Sequence, residues 1–459
     1  MLTKEIYTQR REVLKRSIRS GIVLLPGNGE AAVNYAGNDY AFRQDSSFIY
    51  YVGLDTPDLA YVLDIDNNKE YLLGNELTID DIIWMGNLPS LKERALQAGV
   101  ETVLPFSQLS SLVDKKRTIH YLKPYRYRNQ LLLSELLNKR VDEIMAGYSL
   151  ELTKAIIKMR LIKSKEELAE LEAAGEIGYA MHIVAMKMCQ PGVSEREIAG
   201  VIEGLAVSQG TRTSFPSILS MNGQTLHNHN HSGILTKGRL MLCDAGAENL
   251  NYYASDFTRT TAVGGEYSQR QKNIHTIVLK ALNDSIALAK PGISYKSVHR
   301  NAYQVIFEGL RDLGLVKGDT EDALNAGVPA LFMPHGLGHA MGLDVHDMED
   351  LGETLVGYDN EIQRDTMFGY RSLRFGKRLE QGHVLTVEPG IYFIPQLIEK
   401  WEKEKINADF INFGEVKKYL DFGGIRLEDD IVLTENACRL VYEKRLPVTV
   451  DEIIQATNL

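Results

Sequence analysis

Leu240-Met-Leu-Cys-Asp244-Ala-Gly246 runs apolar residues up to a carboxylate and then turns. The same design returns in Val384-Leu-Thr-Val-Glu388-Pro-Gly390 and in Gly424-Ile-Arg-Leu-Glu428-Asp429. Side chains alternate faces along a strand, so each acid is set against a sheet surface instead of waving in solvent. A buried carboxylate without a partner is costly or simply takes up a proton. Singly, each of these acids reads best as a strand-end or surface residue. Asp256 (Tyr252-Tyr-Ala-Ser-Asp256-Phe-Thr-Arg-Thr260) and His339 (Met333-Pro-His-Gly-Leu-Gly-His339) complete a set of four carboxylates and one imidazole. Together they call for cations. Oxygen-rich ligation with one imidazole suits Mn2+, Co2+ or Zn2+, and carboxylates bridge two such ions about 3.5 Å apart. The chain reads as a metallohydrolase, and it has neither G-x-S-x-G nor a papain-like cysteine context.

Working outward, Ser164-Lys-Glu-Glu167 is a capping box, and Leu168, Leu171, Ala174, Ile177 and Met181 continue one apolar helix face. Pro191-Gly192 ends that helix, Ser194 with Glu197 caps the next, and Pro291-Gly292 closes a third over about 269–288. Ile425–Leu433 reads as one strand. The charged stretch 396–420 reads as an exposed excursion, with Glu399-Lys-Trp-Glu-Lys-Glu-Lys405 as a solvated helix face. Toward the N-terminus, β-rich runs (Gly21–Pro26, Leu59–Leu63, Glu70–Leu73) alternate with helical patches such as Leu91–Ala98, the pattern of an α/β domain. At 459 residues two domains are expected, over 1–158 and 159–459, in an α+β chain.

Bulk properties narrow the function further. A net charge of −10 argues against nucleic acid, whose phosphates want a basic face. No uncharged apolar run approaches the ~20 residues that cross a membrane. The charged start, Met1-Leu-Thr-Lys-Glu-Ile-Tyr-Thr-Gln-Arg-Arg11, lacks the apolar core of a signal peptide. Cys189, Cys243 and Cys438 are too few and scattered for a disulfide framework and read as buried thiols. A cytoplasmic protein is the expectation.

His335-Gly-Leu-Gly-His339 is not a zinc-protease helix, because Gly336 stands where the general base belongs and two glycines disfavour a helix. Nor is it a dinucleotide fingerprint, since the third glycine is misplaced. His339 is the ligand candidate and His335 a nearby donor. In His227-Asn-His229-Asn-His231 an extended chain would put three imidazoles on one face, so a separate zinc site stands beside the reading of a loop lip with one functional histidine. Arg426, two residues before Glu428, suits neutralisation of the acids from behind. Arg371 and Arg374, in the loop before the Glu388 strand, read individually as surface residues.

These contexts together resemble the pita-bread metallopeptidases, the methionine aminopeptidase fold. More narrowly they resemble the proline-specific branch that holds aminopeptidase P and prolidase. Tyr40-Ala-Phe-Arg-Gln44-Asp-Ser-Ser-Phe48 with Tyr50-Tyr-Val-Gly53 is similar to the aminopeptidase P N-terminal domain, which limits substrate length and dimerises. The resemblance implies that Asp244 chelates one divalent ion, His339 and Glu388 the other, and that Asp256 and Glu428 bridge them, with Mn2+ the expected metal. It implies Glu388 as proton acceptor, and His227, His335 and His346 as groups steadying the carbonyl, the tetrahedral intermediate and the leaving nitrogen. His227, His346, Arg374 and Arg426 would contact substrate, a short peptide with proline second, and a homodimer is implied. Asp244 and Asp256 lie twelve apart, one more than is usual there, which reads as a longer hairpin. The long segment 351–382 and Arg374, placed to grip a free carboxylate, lean toward an Xaa-Pro dipeptidase, with Xaa-Pro aminopeptidase as the alternative. A metal-free binding relative is the remote third reading, disfavoured because none of the five ligand positions is substituted.

Overall fold

The computed structural model describes residues 2–458, which separate into two compact units, Met1–Arg160 and Leu161–Leu459. In the first, a five-stranded sheet runs in the order Val103–Pro105, Lys69–Gly74, Ala60–Asp64, Ile22–Pro26, Ile119–His120. Its three central strands pair antiparallel, from Ile22 opposite Asp64 and from Ala60 opposite Leu73, while both edge strands run parallel to their neighbours. Ile22, Leu24, Val62, Leu73, Tyr121 and Leu133 form the core against it. Within the 40–53 signature, Asp45 caps helix Ser46–Val52 by accepting from the Phe48 amide at 2.8 Å. Gly53 ends that helix at φ +72°, where a side chain would collide with the Tyr7 ring.

The second unit is helices packed on short antiparallel sheets. Helices Lys165–Met188, Glu195–Gln209 and Gln269–Leu288 start at the capping boxes of Ser164, Ser194 and Ser268. Strand Leu240–Ala245 pairs with Phe257–Ala262, Leu240 opposite Ala262 and Ala245 opposite Phe257, and also with Ile218–Ser220. The hairpin between Asp244 and Asp256 turns at Asn249, whose Oδ1 accepts from the amides of Asn251 (2.9 Å) and Tyr253 (3.1 Å), with Tyr252 left-handed at φ +67°. Asp244 pairs with Thr258 and Ala245 with Phe257, so Asp256 lies one residue beyond the last pair of the ladder.

Two expectations need correction. Ile425–Leu433 is not one strand: Gly424–Arg426 pairs with Gly390–Tyr392, and Asp429–Leu433 pairs with Val384–Val387. The neighbouring strand explains the break, because Pro389 has no N–H and the ladder cannot run through Glu388-Pro389. Glu428 sits in the gap and bridges instead to Thr258, its amide donating to the Thr258 carbonyl at 3.0 Å. The 396–420 excursion is also more than a solvated stretch. The expected helix is there, Pro395–Glu404, but it buries Ile398 and Trp401 while its charges face outward, so it is amphipathic and not wholly solvated. Among the described residues no helix is long and apolar enough to cross a membrane.

Candidate metal and peptide site

The chain ends at the sheet breaks are where the acids gather. Asp244 closes its strand, Asp256 opens the opposing one, and Glu388 and Glu428 occupy the Pro389 gap. His339 is brought in by an extended segment, not a helix. Its amide donates to Thr386 Oγ1 at 3.1 Å, and its carbonyl accepts from the Thr386 amide at 3.1 Å. The glycines around it are steric. A Cβ on Gly338 would lie 2.1 Å from the Thr386 carbonyl oxygen, and one on Gly336 would lie 2.6 Å from the Leu373 backbone. Only bare backbone fits between these neighbours.

All ten residues singled out from sequence line one cavity of about 570 Å3, together with apolar Phe215, Ile218 and Leu226. One ligand atom each from Asp256, His339 and Glu428 lies within 4.8 Å of the others, the only such group of three among the described residues. His339 Nε2 is 3.4 Å from Asp256 Oδ2 and 3.9 Å from Glu388 Oε1. Asp244 stands slightly apart, its Oδ2 turned to the Arg426 guanidinium. The Oδ1 atoms of Asp244 and Asp256 are buried without a hydrogen-bond partner. Burial, and then the neighbouring acids, hold the Asp256 and Glu428 carboxyls well above their usual range. Burial also raises Glu388, against the pull of His339 and Arg426. Crowded acids with orphaned oxygens are what a cation would relieve.

The imidazoles around this cluster are pulled toward their neutral form by burial. Burial pushes His335 down to about 3 and His346 to about 4, and it lowers His227 as well. His335 Nε2 meets the Tyr392 hydroxyl at 2.9 Å, while its Nδ1 lies 3.8 Å from Glu388. His346 stacks on His339 with ring centroids 3.8 Å apart, and its Nδ1 is 3.0 Å from Glu349. The His346 loop is anchored by a buried ion pair at 2.8 Å, Lys163 with Asp347, each side chain 1% exposed. The Asp347 amide also donates to the Ala340 carbonyl. His229 and His231 turn toward the carbonyls of Ser217 and Leu219, so the three-histidine zinc alternative is not formed.

Sequence reasoning missed the groups that set these residues in place. The Tyr392 hydroxyl joins His335 to Arg426, accepting from Arg426 Nη1 at 2.8 Å. Thr258 Oγ1 accepts from Arg426 Nε at 3.1 Å and donates to Glu428 at 2.6 Å. Asp430 accepts from the Asp256 amide at 3.0 Å. Alternation offered a signal for two of them, since Thr258 lies two residues past Asp256 and Asp430 two past Glu428. Arg374 lines the cavity, yet its Nη1 is already 2.7 Å from Glu349 and 3.5 Å from Glu353.

Residues 169–435 match the Metallopeptidase family M24 description, and residues 7–120 match the aminopeptidase P N-terminal domain. A probable Xaa-Pro aminopeptidase of Sordaria macrospora is 31% identical over 446 residues, covering 95% of this chain and 92% of that protein. One from Fusarium vanettenii is 32% identical, covering 90% and 87%. Among solved structures, the low-pH form of Escherichia coli aminopeptidase P superposes with a TM-score of 0.82 at 29% identity, covering 100% of this chain and 99% of that one. The Yersinia pestis proline aminopeptidase P II gives 0.81 at 29%, with both chains fully covered. The leaning toward a dipeptidase finds no support among these relatives and is withdrawn as the main reading. Its physical basis is also weaker than the sequence implied, because Glu349 and Glu353 already neutralise Arg374.

Proposed function

Because the chain belongs to metallopeptidase family M24, with an aminopeptidase P N-terminal domain and a pita-bread catalytic domain, we propose that it is an Xaa-Pro aminopeptidase, releasing the first residue of peptides with proline second. The observation that carries this reading is the full-length likeness to Xaa-Pro aminopeptidases through both domains. In this reading Asp244, Asp256, His339, Glu388 and Glu428 hold two divalent cations. The buried, orphaned Oδ1 atoms of the two aspartates and the raised carboxyls fit that load. Bound there, Mn2+ or a similar ion supplies a water of lowered pKa and positive charge against the scissile carbonyl.

The chain's own groups do the rest. Glu388, partly open to the cavity and already raised, takes the proton from the attacking water. His227 donates toward the carbonyl oxygen as it gains charge, while His346, whose Nδ1 faces Glu349, braces the His339 ring by stacking on it. His335 is oriented by Tyr392 and stands ready to serve the departing proline nitrogen. Arg426 fixes Asp244 through its contact with Oδ2, while Thr258 sets Glu428. Phe215, Ile218 and Leu226 offer an apolar wall for the substrate's side chains.

Rates on Ala-Pro, Ala-Pro-Ala and a longer Ala-Pro peptide with Mn2+ test the proposal. The tripeptide and the longer peptide are expected to be cleaved. Hydrolysis of the dipeptide alone would overturn the aminopeptidase reading, and no cleavage of any would overturn both. The second reading, Xaa-Pro dipeptidase, keeps one observation in its favour: Arg374 lines the cavity beside His346. Arg374→Ala is expected to raise KM for Ala-Pro and Ala-Pro-Ala alike and by only about threefold, since this half-exposed guanidinium is already paired. A selective rise of about tenfold for the dipeptide would transfer the function to the dipeptidase.

A further inference from the structure

Beyond the wall of the metal cavity formed by Ser372 and Arg374 lies a second depression, lined by Glu353, Arg364, Arg371, Ser372 and Arg374. The two hollows share Ser372 and Arg374. Three guanidiniums therefore face one carboxylate in the outer one. Arg364 pairs with Glu353 at 2.6 Å and donates from Nε to the Arg371 carbonyl at 2.9 Å, which stiffens the loop. Arg374 is occupied by Glu349 and Glu353. Arg371 has no carboxylate partner among the described residues. Its guanidinium lies 5.5 Å over the Phe368 ring, which itself packs edge-on against the buried Trp401. An aromatic platform restricts the guanidinium but leaves its N–H fork free for an oxyanion.

We propose that Arg371, backed by Arg364, forms a subsite for a carboxylate of the peptide beyond the proline. The carboxylate can be the C-terminus of a short peptide or an acidic side chain; the guanidinium chemistry is the same. The subsite rests on the aminopeptidase reading, because a dipeptide ends before it. It makes the enzyme favour short free-acid peptides or those with acid downstream, by charge and not by steric exclusion.

Four peptides separate the sources: Ala-Pro-Ala-Ala as free acid and as C-terminal amide, and the amides Ala-Pro-Ala-Glu and Ala-Pro-Ala-Gln. The wild-type protein with Mn2+ is expected to prefer acid over amide, or Glu over Gln, by about threefold to tenfold in kcat/KM, expressed in KM; a charge-assisted contact supplies such a ratio. Which pair shows the preference names the source. In Arg371→Ala that ratio falls toward one, in Arg371→Glu it inverts, and Arg371→Lys retains part of it. Equal rates within both pairs for the wild type, or ratios untouched in Arg371→Ala, would overturn the subsite. Should no peptide be cleaved, the proposed function fails by itself. Calorimetric binding of the same four peptides to the Mn2+-loaded protein then decides the subsite by the same ratios.

Discussion

Glu388→Gln is expected to lower kcat on Ala-Pro-Ala by about a thousandfold, within the 10²–10⁴ range that a positioned proton acceptor contributes, while the protein stays folded. The substitution keeps side-chain volume and leaves the backbone bond from the Glu388 amide to the Leu337 carbonyl (2.8 Å) untouched. It removes a charge that the folded chain holds at a cost, since burial raises this carboxyl. The metal-free variant should therefore melt no lower than the wild type. What is lost is the group 3.9 Å from His339 and 3.8 Å from His335 that can accept a proton between them. Steady-state kinetics with Mn2+ at several concentrations, together with a thermal melt, read both halves. Turnover above about a tenth of wild type at saturating metal would remove Glu388 from the reaction. A melt that collapses would mean the side chain is structural, and a matching Asp244→Asn variant then separates the cases, because its lost partner is Arg426.

Asp244, Glu388 and Glu428 were legible as candidates because each stands at the end of an apolar run, and a carboxylate there has nowhere to go but a sheet surface. His339 was legible as a residue type, but its context misled by spacing alone. The two glycines that ruled out a helix turn out to be demanded by the Thr386 and Leu373 backbones, contacts made by segments dozens of residues away. Tertiary neighbours also hid Tyr392 and Thr258, whose roles exist only once Arg426 reaches between strands. The strand misread over 425–433 has a local cause in the neighbouring strand: Pro389 breaks the ladder, and nothing in 425–433 announces it. The buried face of helix Pro395–Glu404 was obscured by composition, because Ile398 and Trp401 are the sparse apolar marks on a charged background. Arg374 shows the opposite limit. Its position in the chain predicts a free cation, and only the fold reveals Glu349 and Glu353 beside it.

Removing metal should destabilise the protein, and by more at pH 8 than at pH 5.5. Asp256, Glu388 and Glu428 all carry folded-state pKa values above their ordinary ones when no cation is present. Between the unfolded value near about 4 and the raised value, the folded chain binds more protons than the unfolded chain. Stability from these groups is thus fully present below the unfolded value and is lost as pH rises through the folded one. A cation reverses the sign: it displaces those protons and binds better as pH rises. Asp64, which Arg117 holds below the carboxylate range, has the opposite pH slope but contributes equally with and without metal, so it cancels in the difference. At a metal concentration of about 100 Kd the stabilisation is about 2.7 kcal/mol, or roughly 4 °C in Tm for a unit of this size. Melts with chelator and with Mn2+ at the two pH values measure the gap directly. A gap that is equal or narrower at pH 8 would mean these acids are not displaced from their protons by a bound cation, and the two-cation site would fall with it.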